Sequence, residues 1–294
     1  MKYTFTPVHD CEMCGSARHR ILGQRLNQSQ GRNPRAVGGI AVTVKRCLDC
    51  GLIYSDPRPA PEKLTDHYDM PPAEYWTDDH RFHEPDRLFF LPQITTAKRL
   101  TTGRRALDIG AGLGFAMKAM AAEFDVYGLE PSEPFRTQAI ASGIAPDRIL
   151  PAAAEDAEFG PEFDFVTFGA VLEHLQRPAL AIERALTWLK PGGVMHIEVP
   201  SSDYLMSKVT NLYFRLRGVN AVTNLSPMHS PFHLYEFALT SFEKHAARAG
   251  YAIAEHTVDV CGILHFPAAM KPPLDWYMAR TGTGMQLTVW LRKA

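Results

Sequence analysis

Four of the five cysteines in the chain form two pairs near the amino terminus. Cys11 and Cys14 are separated by two residues, as are Cys47 and Cys50, and a glycine follows each pair. Each pair can place two thiolates on one tight turn, because the trailing glycine lets the backbone fold back and direct its amides at sulfur. Two such turns supply the four ligands of a tetrahedral metal site, for which zinc is the favoured ion.

The metal site predicted at these cysteines is structural. Four thiolates leave no coordination position for water or substrate, so the metal is expected to fold a loop-rich segment that has little core of its own and is separate from the core of the remaining chain. Two disulfides are disfavoured because the first residues carry no apolar stretch typical of a secretion signal. An iron centre and free thiols stay open as alternatives. Cys261, the fifth cysteine, is expected to be buried packing.

A second group of residues indicates a nucleotide-type ligand. Asp108 ends an apolar strand pattern, and glycines follow at positions 110, 112 and 114. Glycine permits a sharp turn and a close approach of a ligand, and the helix pattern that follows leaves its first amides without partners. Glu130 ends the next strand, where a carboxylate can accept hydrogen bonds from both hydroxyls of a ribose. NAD is disfavoured, because Phe115 stands where its fingerprint requires the third glycine.

Two histidines are the candidate catalytic bases. His174 follows the fourth strand pattern, and His233 lies in the segment SPMHSPFHLYEF. Imidazole has the pKa range to accept a proton from a substrate near neutral pH. The alternative for His174 is a structural role. His229 is a weaker candidate, and Pro231 disrupts the helical spacing that would let it bind a metal together with His233.

The Asp-x-Gly-x-Gly-x-Gly spacing that begins at Asp108 resembles motif I of the class I S-adenosylmethionine (SAM) methyltransferases. The resemblance is strongest at VLEHL, residues 171–175, which stands at the position that faces the methyl donor in those enzymes. It implies SAM as cofactor and a Rossmann-like α/β sheet whose last strand is antiparallel. The cysteine-rich segment to about Tyr75 resembles the zinc-binding segment of bacterial methyltransferases that modify sugars or other secondary metabolites.

Residue by residue, the resemblance implies a set of SAM contacts. The glycine loop would lie beside the methionine moiety, the acidic residue after the second strand would hold the ribose, and a loop of small residues after the third strand would face adenine. The matching residues are Asp108, Gly110, Ala111, Gly112, Gly114, Glu130, Pro131, Ala153, Ala154, Glu155, Gly169 and Ala170.

The elements that must position these residues alternate between strands and helices. Apolar and β-branched runs predict strands at residues 106–109, 125–129, 149–150, 163–168, 194–199, 251–260 and 286–292. Helical periodicity predicts helices at residues 87–100, 115–124, 132–143, 178–190, 205–216 and 241–250. The last strand is expected between the fifth and the sixth, and the helix at 205–216 is expected to belong to a substrate lid.

Composition limits the classes of partner. The chain has 294 residues, of which 46% are hydrophobic, and a formal net charge of −1. That charge supplies no excess positive field for nucleic acid. No apolar run approaches the roughly 20 residues of a membrane span. We therefore expect a cytoplasmic protein without a membrane partner, and the oligomeric state stays open.

The predicted organisation has three parts: a zinc module at residues 1–60, a linker and helical lead-in at 61–100, and a methyltransferase domain at 101–294 with a lid-like insert at about 200–240. Pro57, Pro59 and Pro61 indicate the linker, with Tyr68, Tyr75 and Trp76 beyond it as candidate substrate contacts. The favoured function is methyl transfer from SAM to a small molecule or sugar. The alternatives are a macromolecular acceptor docked by the zinc module, and a non-catalytic SAM-binding or interaction protein.

Overall fold

A computed structural model describes residues 3–27, 39–62, 87–261 and 268–293. Tyr68, Tyr75 and Trp76 lie outside the described residues. The strands are β1 Tyr3–Thr6, β2 His19–Leu26, β3 Ala41–Cys47, β4 Ile53–Asp56, β5 Arg58–Pro61, β6 Arg105–Ile109, β7 Asp125–Leu129, β8 Ile149–Leu150, β9 Phe163–Gly169, β10 Leu189–Pro200, β11 Tyr235–Glu236, β12 Tyr251–Asp259 and β13 Gln286–Lys293. The helices are α1 Arg87–Leu100, α2 Phe115–Met120, α3 Glu133–Ala141, α4 Pro178–Trp188, α5 Leu205–Leu216, α6 Leu239–Ala249 and α7 Lys271–Thr281.

The largest sheet has seven strands in the order β12-β13-β10-β9-β6-β7-β8. Strands β10, β9, β6, β7 and β8 are parallel neighbours, whereas β13 runs antiparallel to both β10 and β12. The last strand therefore lies between the fifth and the sixth strands of the predicted series, and the Rossmann-like fold expected from the sequence is confirmed. In such a sheet ligands bind at the carboxyl ends of the parallel strands.

The central strands are apolar along their whole length because both faces of the sheet are covered. Phe163, Phe165 and Phe168 of β9 are fully buried. Phe165 packs on one side in a cluster with residues of α1 and α2, while Phe163 and Phe168 pack on the other side with α4. These two layers hold the strand ends, and the loops that follow them, in fixed positions.

The amino-terminal strands form two smaller sheets. β2, β3 and β4 are antiparallel neighbours, and β1 pairs with β5. The fourth strand of the first sheet is β11, which comes from far along the chain and pairs Tyr235 with Tyr54. Pro59 and Pro61 therefore lie in a strand and do not form a linker; proline is tolerated there because the two-stranded sheet has only edge strands.

The cysteine-rich segment shares its core with the large sheet. Cys11, Cys47 and Cys50 pack in one continuous cluster with Leu107 of β6 and Phe242 of α6. The hydroxyls of Thr240 and Ser241 also donate to the backbone carbonyl of Cys50, at 2.7 and 2.9 Å. The expectation of a separate core is thus wrong. Strand β11 and helix α6 bring apolar side chains to the cysteines, so the short segment need not supply a core of its own.

Other differences from the predicted elements are local. Helix α2 ends at Met120, four residues earlier than predicted, because a turn leads from there into β7. Helix α7 was not predicted, since Pro272 and Pro273 were assigned to a connection; both stand in its first turn, where proline is tolerated. Within the described parts of the chain, none of the helices has the length and apolar character needed to cross a membrane.

Helix α5 occupies the predicted range but does not bury its apolar stripe. Val209, Leu212 and Leu216 are 47%, 53% and 78% exposed, and Phe214 is the buried residue of the helix. The segment that follows α5 turns back to the amino-terminal sheet, where Ala221 forms a bridge with Gln24. The insert is therefore attached to the cysteine-rich segment through backbone pairing.

Candidate active site

A cleft of about 920 Å³ opens at the carboxyl ends of β6, β7, β9 and β10. Its walls include the glycine loop, the residues after β7 and β9, and the segments 152–156, 198–207 and 231–236. The volume falls in the range of small-molecule and cofactor sites, which runs to about 1,000 Å³. The position agrees with the rule that open α/β sheets bind ligands at this edge.

The glycine loop owes its shape to left-handed backbone conformations. Gly110 has a φ of 68°, and a Cβ atom built on it would lie 2.6 Å from a methyl group of Val171. Gly112 has a φ of 54° and lines the cleft, where a Cβ would have no neighbour closer than 3.9 Å. The loop thus presents bare backbone to the cleft at Gly112 and needs glycine at Gly110 for space as well as conformation.

Glu130 connects the end of β7 to the glycine loop. Its two carboxylate oxygens accept hydrogen bonds from the amides of Gly112 and Ser132, both at 2.8 Å. Burial raises the pKa of this carboxyl group, and the two amides act against that rise. Each oxygen keeps a second lone pair, so the side chain can still accept hydrogen bonds from a ligand in the cleft.

Asp108 lies behind Glu130, at the end of β6. It is buried, and its pKa is raised to about 7, first by burial and then by the nearby charge of Glu130. It is not among the residues that line the cleft. Its proximity to Glu130 makes Asp108 a group that can tune the charge of the carboxylate facing the ligand.

The structure brings most of the predicted cofactor-binding residues to one cleft. Those that line it are Gly110, Gly112, Glu130, Pro131, Ala153, Ala154, Glu155, Gly169 and Ala170. Ala111 and Gly114 lie behind the loop: the amide of Ala111 donates to the carbonyl of Leu129, and Gly114 is the residue at which α2 begins. These two residues therefore support the conformation of the loop and do not line the cleft.

His174 and His233 meet in the same cleft, although 59 positions separate them in the chain. Their rings lie edge to face with centroids 4.9 Å apart. The Nε2 atom of each ring is 3.8 Å from Oε1 of Glu173, and one ligand atom from each of the three residues lies within 4.8 Å of the others. The arrangement gathers two proton acceptors and one carboxyl group at the cleft wall.

The electrostatic state of this cluster follows from its burial. Glu173 is buried, and burial, with a smaller contribution from the charge of Glu198, raises its pKa to about 8. Its Oε2 atom has no hydrogen-bond partner among the described residues. Burial also lowers the pKa of His233 well below its ordinary value, and the neighbouring His174 and His229 add to the effect. Near pH 7, Glu173 is therefore largely protonated and His233 is neutral.

Backbone contacts from two distant segments hold the cluster in place. The amide of Leu234 donates to the carbonyl of Glu173 at 2.8 Å, and the amide of His233 donates to the hydroxyl of Ser226 at 3.1 Å. His233 lies two residues before β11, so pairing of β11 with β4 fixes its position. Glu173 and Glu198 were absent from the predicted site, although the Glu-His sequence at Glu173 was a signal for the former.

The four paired cysteines converge as predicted. The sulfurs of Cys11 and Cys50 are 3.5 Å apart, as are those of Cys14 and Cys47, and all four lie within 4.8 Å of one another. Tetrahedral coordination with Zn–S bonds of about 2.3 Å gives S···S separations of about 3.8 Å. The sulfur arrangement therefore fits a tetrahedral metal ion.

The turns that carry these sulfurs have the conformation that the trailing glycines predict. Gly15 and Gly51 have φ values of 73° and 78°. The amides of Cys14, Ser16 and Leu52 donate to the sulfurs of Cys11, Cys14 and Cys50, respectively. Burial raises the pKa of the Cys14 thiol, and a bound cation would act against that rise by favouring the thiolate.

A family model described as a methyltransferase domain matches residues 75–256, which is more than half of the chain. The chain belongs to this methyltransferase family. The matched range contains the glycine loop, Glu130 and His174, together with the helices and strands from α1 to most of β12. The resemblance stated from the glycine spacing is therefore confirmed, and residues 1–74 lie outside the family match.

Curated relatives are similar to part of this methyltransferase-family chain. A ubiquinone biosynthesis O-methyltransferase of Photobacterium profundum is 39% identical over 97 residues, covering 31% of this chain and 41% of that protein. One of Marinobacter nauticus is 28% identical over 163 residues, covering 53% and 66%. The matches thus span less than two thirds of either relative. A SAM-dependent methyltransferase structure from Mesorhizobium loti has a TM-score of 0.49 at 17% identity, covering 69% of this chain and 97% of that one.

Proposed function

We propose that this protein transfers the methyl group of SAM to a small-molecule acceptor in the cleft at the carboxyl ends of β6, β7, β9 and β10. One observation carries the proposal. A single cleft combines a backbone-lined glycine loop and a buried carboxylate on one side with a carboxyl-histidine cluster on the other. The first set suits a nucleoside cofactor, and the second suits removal of a proton from an acceptor.

The described residues fit SAM in shape and in hydrogen-bonding capacity. Gly112 leaves open space where a side chain would stand, and Glu130 offers two lone pairs toward the cleft. Glu130 would hold the ribose hydroxyls, while Ala153 and Ala154 would leave room for the adenine ring. SAM supplies a methyl group on a sulfonium, which any well-aligned nucleophile can accept when water is excluded.

His174 and His233 are the proposed proton acceptors. His233 is neutral near pH 7 because burial lowers its pKa, so its ring can take a proton without first losing one. His174 lies beside it and is in contact with the same carboxyl group. Glu173, which is largely protonated near pH 7, would act as a positioning residue because its Oε1 atom lies near both imidazole rings. A nucleophile that arrives protonated, such as a hydroxyl, is the acceptor that needs this arrangement.

A small acceptor suits the charge of the cleft better than a polyanion does. Glu130, Glu155, Glu173 and Glu198 all line it. Burial raises the pKa of each of these groups, yet none of them would favour a phosphate backbone. The names of the curated relatives, which describe O-methylation in ubiquinone biosynthesis, support a small molecule with a hydroxyl group. A sugar or another secondary metabolite is the acceptor class that the cysteine-rich segment favours.

We also propose that the four cysteines bind one structural zinc ion. The donor set is four thiols whose separations suit a tetrahedral ion, and the amides directed at sulfur would stabilise the thiolates. The boundaries of a zinc module at residues 1–60 and of a catalytic domain at 101–294 remain predictions.

The test is cofactor binding by isothermal titration calorimetry. We expect SAM to bind with roughly micromolar affinity and NADH not to bind. Glu130→Gln should weaken SAM binding by roughly 1 to 3 kcal/mol, because an amide cannot accept at both positions that face the loop and the ribose. Glu133→Gln, on the exposed first turn of α3, is the matched control. Tight NADH binding without SAM binding would refute the proposal.

A further inference from the structure

A second cavity, of about 570 Å³, lies next to the cleft, on the other side of the turn that contains Ser201 and Ser202. It is enclosed by strands β2, β3 and β4 on one side and by helix α5 with the segment after it on the other. The lining residues are Arg20, Ile21, Leu22, Arg46, Ile53, Ser202, Lys208, Asn211, Leu212, Arg215, Asn220 and Asn224. None of the residues used above for SAM, for the histidine cluster or for the cysteine cluster belongs to this set.

The charge of this cavity is positive. Four of its lining residues are Lys or Arg, and no carboxylate stands among them. Asp203 behind the wall pairs with Arg46 at 2.9 Å and with Lys208 at 2.8 Å, which leaves an excess of about three positive charges by residue count. A concave surface with one sign of charge concentrates the opposite sign within it.

Two of the cations are available to a ligand. Within the described parts of the chain, the guanidinium groups of Arg20 and Arg215 have neither an ion pair nor a hydrogen bond, whereas Arg46 donates to Asp203 and to the carbonyl of Ser202. A guanidinium group carries five N–H donors in a planar fork that matches the oxygens of a phosphoryl group. Arg20 and Arg215 approach the cavity from opposite walls, so one phosphoryl group between them would receive donors from both sides.

Apolar side chains complete the lining. Leu22 and Ile53 stand in its inner wall, while Ile21 and Leu212 are 64% and 53% exposed at its mouth. An inorganic anion would leave these residues in water, whereas a ligand with an apolar part would cover them. The cations surround one concavity and do not extend as a stripe across the surface, so a small ligand suits it better than a nucleic acid backbone.

The second cavity is connected to the cleft by hydrogen bonds. The side-chain Nδ2 atom of Asn211 donates to Oδ1 of Asn224 at 2.7 Å, and Nδ2 of Asn224 donates to Oε2 of Glu236 at 2.6 Å. Asn211 and Asn224 line the second cavity, whereas Glu236 lines the cleft. Ser201 and Ser202 likewise face the two cavities from adjacent positions in one turn. A ligand in the second cavity would therefore contact residues that shape the acceptor side of the cleft.

We propose that the second cavity binds an organic phosphate, with its phosphoryl group between Arg20 and Arg215 and its apolar part against Ile21 and Leu212. The cofactor cannot be this ligand, because SAM contains no phosphate. The inference goes beyond methyl transfer and does not depend on it.

Calorimetry with phenyl phosphate and with inorganic phosphate tests the proposal without any turnover. The wild-type protein is compared with the double variant Arg20→Gln/Arg215→Gln. The matched control is Arg217→Gln/Arg280→Gln, which removes the same charge from two exposed arginines outside the cavity. We expect phenyl phosphate to bind at least tenfold more tightly than inorganic phosphate, and the double variant to bind it at least tenfold more weakly than both wild type and control.

Each other outcome overturns the inference. Equal affinity for the two phosphates would refute the apolar contact. An equal loss of affinity for phenyl phosphate in the test and control variants would show that binding depends on net charge alone. Absence of binding at millimolar phenyl phosphate would refute the site. Tight binding of a single-stranded oligonucleotide that the double variant abolishes would assign the cations to nucleic acid. Thermal unfolding of both variants, monitored by circular dichroism, verifies that each is folded; the substituted side chains have no partners to lose among the residues that the structure describes.

Discussion

Two clusters of reactive side chains lie in the described parts of this chain, and they are built in opposite ways. The cysteine cluster comes from two short turns, has four like donors and is closed around one point, with three of its sulfurs almost fully buried. The cluster of Glu173, His174 and His233 combines unlike groups from two distant segments and opens onto a large cleft. In the first, all donors face one another; in the second, a carboxyl oxygen is left without a partner among the described residues.

We interpret the difference as that between a proposed structural site and a proposed reactive one. A closed set of thiolates gains its stability by satisfying a metal completely, and nothing remains for a substrate. An open set keeps hydrogen-bonding groups that have no partner. Leaving these groups unpaired costs stability in the free protein, and they form bonds when a ligand or a proton binds. The following predictions, from the largest expected effect to the smallest, test this division.

Cys11→Ser should have the largest effect on folding. It removes one of the four proposed metal ligands, and zinc binding by a comparable site contributes roughly 10 to 16 kcal/mol in small peptides. Because the cysteines share a core with β6 and α6, we expect loss of zinc, a lower unfolding temperature for the whole chain and weakened SAM binding. Zinc content by atomic emission and thermal unfolding by circular dichroism measure the change. Cys261→Ser is the control, and metal-free protein of unchanged stability would contradict the prediction.

Removal of the proposed catalytic base should lower the maximal rate by roughly 10²- to 10⁴-fold, with little change in SAM affinity. His174→Ala and His233→Ala are compared with His256→Ala, an exposed histidine of β12. Since the pKa of His233 lies well below its ordinary value, the wild-type rate should fall only when the pH drops well below 6.5. Rates measured against pH with an identified acceptor decide the point. Unchanged rates in both variants would shift attention to Tyr235 and Glu236.

Glu173→Gln should change how stability depends on pH. The pKa of Glu173 is about 8 in the folded protein, above the ordinary carboxyl value near 4.5. Between these two values the unfolded chain has released the proton and the folded chain has kept it, so this group destabilises the fold progressively as pH rises, by at most about 1.4 kcal/mol per pH unit. Relative to wild type, the variant should gain stability from pH 5 to pH 8 in urea unfolding. The same gain in stability in the exposed control Glu158→Gln would show that the raised pKa of Glu173 is not its cause.

Gly110→Ala should weaken SAM binding at least tenfold. The new Cβ would meet Val171 at 2.6 Å, and the positive φ adds a backbone cost of roughly 1 to 2 kcal/mol. Gly192→Ala has the same backbone cost, because Gly192 has a φ of 76°, but its new Cβ would meet no atom within 4 Å. It should lose stability to a similar extent and keep its SAM affinity. Equal affinities for the two variants, measured by calorimetry, would show that the loop does not form the cofactor site.

Sequence patterns were sufficient wherever a site depends on neighbours in the chain. The spacing of Cys11 and Cys14 and the glycines after Asp108 predicted local turns that the structure contains. The direct contact of His174 with His233 was not predicted, because it depends on the pairing of β11 with β4. A two-residue strand leaves no periodic signal, and apolar periodicity does not tell which surface an insert will meet. For the same reason the separate core was assigned wrongly.

The strand β11 also bears on how the chain acquires its structure during synthesis. The cysteine turns leave the ribosome before β11 and α6 do, and Thr240 of α6, which contacts Cys50, follows that cysteine by 190 positions. Contacts so distant in sequence close slowly, because the entropy of a long loop must be lost before they form. The amino-terminal sheet therefore spends most of translation with the edge of β4 unpaired. Early capture of a metal by the cysteines would hold that sheet together until β11 arrives to cover its edge.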